Sequence, residues 1–145
     1  MAVTGIISEG RRKVNRMMRN PDARHLDFQD LAGLIPENPK FLPSNLDMVY
    51  ERRGHFLVCE WKRPHEQFGG GQWILLQALA RTPKFSVLIV TGNTDAGMSV
   101  QALEYLKPDG SLEHKGATMV EFEQLILKWF YHAERQHTQT LQRGG

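Results

Sequence analysis

The stretch from Leu46 to Lys62 constrains this chain more than any other, because it reads as a β-hairpin with charge on one face. Leu46 to Glu51 has strand character. Arg52, Arg53 and Gly54 supply a turn, and His55 to Lys62 is a second strand rich in Phe, Leu, Val and Trp. A loop from Arg63 follows, ending in Gly69-Gly70-Gly71. Gln72 to Arg81 is then apolar on all sides and predicts a buried helix, stopped by Thr82-Pro83. Phe85 to Thr91 is an apolar run of strand length, which suits the centre of a sheet. Strand, turn, strand, helix and strand in this order require a mixed sheet with at least one helix packed on it.

The remaining segments extend that plan. Ser99 to Leu106 and Ser111 to Lys115 form a second hairpin about the turn Lys107-Pro108-Asp109-Gly110. The last helix is the clearest element. Thr118 and Glu121 form a capping box, and Phe122, Leu125, Ile126, Trp129, Phe130 and Ala133 recur at helical spacing to about His137. The tail from Thr138 to Gly145 is expected to fray. Upstream, Ser8 to Arg19 and Asp27 to Leu34 have helical character, and the prolines from Pro36 to Pro43 mark an extended connection. With 145 residues, 41% of them apolar, one domain over residues 1–145 is expected. Its architecture is an α/β sandwich, a central mixed β-sheet flanked by helices.

Composition excludes more than it assigns. A lone cysteine, Cys59, makes neither an internal disulfide nor a Cys-based zinc cluster, and a reducing compartment is the simpler setting. No apolar run reaches the length of a membrane span, and the N-terminus lacks a secretory pattern, so a soluble, cytoplasmic protein without a membrane partner is expected. The net charge of +2 does not by itself call for nucleic acid. Its distribution is more telling: Arg11, Arg12, Lys13, Arg16 and Arg19 cluster without an acid between them. Such a stripe can track phosphates or simply form a solvated helix face.

The chemistry lies in the hairpin. Side chains at i and i+2 of a strand share a face, so Glu60 and Lys62 point one way and Cys59 and Trp61 the other. If Arg53-Gly54 is a two-residue turn, Arg52 pairs with His55 and Asp47 stands opposite Glu60. Directly opposed residues bring their Cβ atoms to about 4.5–5.5 Å. Two carboxylates that close repel unless a cation lies between them. A hard ion such as Mg²⁺ or Mn²⁺ favours carboxylate and water oxygens and leaves positions open for a phosphate. A one-residue slip would turn Asp47 to the other face. An isolated E-x-K occurs often by chance; the upstream acid, the apolar strand and the glutamine opening the next helix are what raise it above chance.

Asp47, Glu60-Trp61-Lys62 and Gln72 together resemble the PD-(D/E)XK nuclease superfamily. Within it the likeness is to virus-type replication-repair nuclease (VRR-NUC) domains and Holliday junction resolvases, and covers about residues 45 to 92. The resemblance implies a restriction-endonuclease-like fold and hydrolysis of phosphodiesters in DNA, with RNA left open as substrate. It also implies that Asp47, Glu60 and the Trp61 carbonyl hold the metal, that Lys62 is the catalytic lysine and that Gln72 supports the site. Two departures stand out. The usual Pro-Asp is Leu46-Asp47, and the further acid that the family often carries on its first helix has only Glu9, Asp27 and Asp30 as candidates.

Other residues carry weaker readings. Gln77 is the second choice to Gln72. Gly69 to Gly71 suit a hinge better than a nucleotide loop, since no Walker pattern follows. Arg52, Arg53 and Arg63 flank the motif and could hold phosphates, as ordinary surface charge could also explain. No pair of histidines has the i, i+4 metal spacing with a glutamate between. Trp129 and Phe130 suit either the core or a homodimer contact. The functional alternatives are a non-catalytic nucleic-acid-binding module that keeps the nuclease fold and an α/β interaction protein with a chance E-x-K.

Overall fold

A computed structural model describes residues 27–93, 95 and 97–144. The chain divides into two units, Met1–Pro43 and Ser44–Gly145, so the division falls at the proline-bearing connection. In the first unit, the helix expected over Asp27 to Leu34 is a single 3₁₀ turn, Phe28–Leu31. Asp27 caps it, accepting a hydrogen bond from the Gln29 amide at 2.9 Å. Gly33 at φ 76° then takes the chain out of the helical region. The helix expected over Ser8 to Arg19, with Glu9, Arg11, Arg12 and Lys13, falls outside the described residues.

The second unit is a five-stranded mixed sheet in the order β1-β2-β3-β4-β5. Its strands are β1 (Met48–Arg52), β2 (His55–Lys62), β3 (Phe85–Thr91), β4 (Ala102–Leu106) and β5 (Leu112–Gly116). Helix α1 (Gly70–Ala80) connects β2 to the parallel strand β3, and α2 (Met119–Gly144) follows β5. The β1–β2 turn is the expected two-residue one: Arg53 and Gly54 lie at φ 54° and 77°. Positive φ at both positions is the conformation whose twist matches that of paired strands. It fixes Arg52 opposite His55 and Met48 opposite Cys59.

β2 and β3 are covered on both faces, which is why they read as nearly unbroken apolar runs. On one face Leu57, Cys59, Leu88, Val90 and Leu103 meet Phe122 and Trp129 of α2. On the other, Val58, Val87, Ile89 and Leu106 meet Leu76 and Ala80 of α1. The result is a sheet between two helical layers.

Three expectations need correction. Helix α1 is not buried all round: only Leu76 and Ala80 are fully covered, and Ile74 is exposed. A single helix beside a strand hides one side, whatever the polarity of the other. α2 does not end near His137 but runs to Gly144. Its last turns are solvated, and the Thr138 and Thr140 hydroxyls donate to the carbonyls of Glu134 and Gln136. β4 starts at Ala102 because Ser99 is held in the preceding loop, where its hydroxyl meets the main chain of Asn93 at 2.6 Å. Among the described residues, no helix is long and apolar enough to cross a membrane.

The loop after β3 leaves no room at Gly92. A Cβ there would lie 1.9 Å from the Ser99 carbonyl oxygen. The Gly92 amide also donates to the Lys62 carbonyl at 2.9 Å, which ties this loop to the end of β2. Gly92→Ala is therefore expected to destabilise the protein by about 1–3 kcal/mol, read from denaturant melts.

Candidate functional site

The site forms where β2 ends and α1 begins. Strand alternation sends Val58, Glu60 and Lys62 to the α1 face, as the i, i+2 rule requires. Glu60 is only 1% exposed, the one fully buried charged residue among those described. Its oxygens are held from two directions. The Asp47 amide donates to Oε1 at 2.7 Å, and the Gln72 side-chain amide donates to Oε2 at 2.8 Å. Gln72 lies in the first turn of α1, so the helix start is locked onto the acid.

Asp47 stands one residue before β1, in the position that continues the Met48–Cys59 pairing to Glu60. Its exposed carboxylate accepts the Trp61 amide on Oδ2 at 2.8 Å. The side chain thus takes over where the β1 backbone leaves the ladder. A residue in an antiparallel ladder presents its N–H and C=O to the same side. The Trp61 carbonyl therefore faces the Asp47 edge, while the Lys62 carbonyl faces β3 and receives Gly92.

Burial, reinforced by the nearby Asp47 charge, pushes the Glu60 carboxyl up to about 7, against the hydrogen bonds from Asp47 and Gln72. Cys59, on the opposite face, is pushed up to about 12 by burial and by Glu60, so it remains a thiol and does not act as a nucleophile.

Lys62 is half-buried, and its ammonium donates to the Glu66 carbonyl at 3.4 Å. Glu66 closes the turn after β2: its carboxylate accepts the Arg63 amide at 2.8 Å and its own amide donates to the Arg63 carbonyl. The Arg63 guanidinium holds Asp95 at 2.8 Å, so it lies beside the site but is shared with an acid. Glu66, Asp95 and Gly92 escaped the sequence reading. Only Gly92, a glycine directly after an apolar strand, gave a signal.

Arg52 and Arg53 do not flank the site, which corrects their reading as phosphate contacts there. They occupy the other end of the hairpin, about 17 Å away at the usual strand rise. Both guanidinium groups engage Glu134 of α2, and Arg52 also lies 5.1 Å above the Phe130 ring. Trp129 is buried against the sheet and Phe130, partly buried, packs beside it, so both residues contribute to the chain's own core. Asp27 and Asp30 belong to the other unit. Gln77 lies 3.4 Å from the Cβ position of Gly110, away from Glu60.

Among the described residues of the second unit, Asp47 and Glu60 are the two acids that hydrogen bonds bring together here. The next acid on the same face, Glu104, is two strands along the register through Ile89, roughly 9–10 Å away. Among the described residues, no group of three or more His, Cys, Asp or Glu side chains could hold a metal ion. Within the second unit, the donor set on offer to a cation is the two carboxylates and the Trp61 main-chain carbonyl. It fits a hard cation that keeps water or phosphate oxygens in its remaining positions. Each Glu60 oxygen keeps a second lone pair beyond the hydrogen bond it accepts. Comparison with protein-family models, with curated proteins and with solved structures gave no match.

Proposed function

We propose that this chain is a metal-dependent nuclease of the PD-(D/E)XK kind, built on a restriction-endonuclease-like α/β sandwich and hydrolysing phosphodiester bonds in DNA. One observation carries the reading. A buried glutamate is pinned by Gln72 and by the main chain of Asp47, next to the Asp47 carboxylate, with Lys62 on the same face. Burying an acid beside a second acid is unfavourable without a cation. The location agrees, because open α/β sheets bind ligands beyond the carboxyl ends of their strands.

In this proposal Asp47, Glu60 and the Trp61 carbonyl hold Mg²⁺ or Mn²⁺. When bound, the ion supplies polarisation of the scissile phosphate and acidification of a water. Gln72 keeps Glu60 in one orientation. Lys62 orients the attacking water and offsets charge developing on the phosphate. Because Glu60 must be ionised to ligate, metal loading is expected to improve as pH rises through about 7.

The test is incubation with labelled junction, flap, duplex and single-stranded DNA, and one RNA, each with Mn²⁺ and with EDTA. Cleavage is expected only with metal, and Asp47→Ala or Lys62→Ala should lower it by at least about 10²-fold. Binding without cleavage on every substrate would favour the non-catalytic nucleic-acid-binding module. Wild-type rates in either variant would remove these residues from the mechanism.

A further inference from the structure

The sheet face opposite Glu60 carries a second feature that the nuclease reading does not use. Near the Trp61 end, α2 closes tightly on the sheet, with Phe122 edge-on to Trp61 at 5.4 Å. Toward the middle of the sheet a cleft of about 270 Å³ opens between helix and strands. Leu57, Leu88 and Tyr105 form its floor, and Trp129 forms part of its wall. This volume approaches the roughly 300 Å³ lower end of small-molecule sites, and the apolar floor with an aromatic wall matches their usual lining.

Among the described residues, the lining includes four basic residues and no acid. Lys128, His132 and Arg135 come from α2, and Lys115 comes from β5. The three α2 residues follow i, i+4, i+7 spacing, so they form one row along the helix. Lys115 is engaged by Glu113 at 3.0 Å. Lys128 and Arg135 make no ion pair among the described residues, and both are exposed.

An apolar floor under a row of cations selects for an apolar body carrying a negative head. We infer that this cleft binds a small amphipathic anion, such as an aromatic carboxylate, with its ring over Tyr105 and Trp129 and its head on Lys128 and Arg135. The phosphodiester site is on the other face of the sheet, so the two sites are separate and the inference stands whether or not the chain cleaves nucleic acid.

The probe is 1-naphthoate, titrated calorimetrically into the full chain, with neutral 1-naphthalenemethanol as its uncharged counterpart. Saturable 1:1 binding of the carboxylate is expected. The alcohol, and the exposed double variant Lys128→Gln/Arg135→Gln, should each weaken binding by about tenfold or more. No saturable binding of the carboxylate at millimolar concentration would overturn the inference. So would equal affinity for the alcohol, or unchanged affinity in the double variant. A short DNA duplex that loses affinity in the double variant, with no naphthoate binding, would assign the cation row to nucleic acid and overturn it as well.

Discussion

Glu60→Gln is expected to make the metal-free protein more stable at pH 8 while abolishing metal-dependent cleavage. The folded carboxyl titrates near 7 and its ordinary value is 4.5. Between these values the folded chain holds a proton that the unfolded chain has released. Stability therefore falls as pH rises from about 4.5 to about 7, and is level above that. The loss is on the order of 1–3 kcal/mol. Gln at this position keeps an acceptor for the Asp47 amide, and Gln72 can turn its own amide to pair with it. The variant should show no such fall between pH 5 and pH 8. Urea melts of both proteins in EDTA at the two pH values check this. A wild-type protein equally stable at both would show that Glu60 is not held as a strained buried acid.

Phe122→Ala carries the largest stability effect, a loss of about 3–5 kcal/mol. Phe122 is completely buried at the meeting of α2 with Leu57, Cys59, Leu88, Val90 and Leu103. Its ring also supports Trp61, which separates Glu60 from Lys62 along β2. A loss of this size is a large part of the roughly 5–15 kcal/mol that holds a domain folded. Phe122→Leu should lose less, because it fills most of the same space. Denaturant melts of the two variants give the comparison. If Phe122→Ala lost less than about 1 kcal/mol, the α2 face of the sheet would not be the close-packed layer described here.

Much of this arrangement was legible before the structure, for identifiable reasons. The Arg53-Gly54 turn demands positive φ at two successive residues, and this fixes the hairpin register by counting alone. From that register follow the opposition of Asp47 and Glu60 and the separation of Glu60 and Lys62 from Cys59 and Trp61. The helical stripe of α2 was plain, because a sheet-packed helix repeats its apolar residues every three to four positions. What escaped notice depended on tertiary distance. Arg52 and Arg53 are near Glu60 in sequence but lie at the far end of the strand. Ile74 is as apolar as its neighbours on α1, yet faces outward. The part of Glu66 comes from loop geometry, which neither periodicity nor residue type encodes.

Everything proposed for the site depends on Asp47 and Glu60 sharing one cation. The most direct measurement is a Mn²⁺ titration followed by electron paramagnetic resonance at pH 8, for wild type, Asp47→Ala and Glu60→Gln. One bound ion per chain is expected for wild type and none at matching concentrations for either variant, with folding verified by circular dichroism. A wild-type chain that binds no Mn²⁺, or a folded Glu60→Gln chain that binds it as tightly as wild type, would contradict the metal site and the nuclease mechanism built on it.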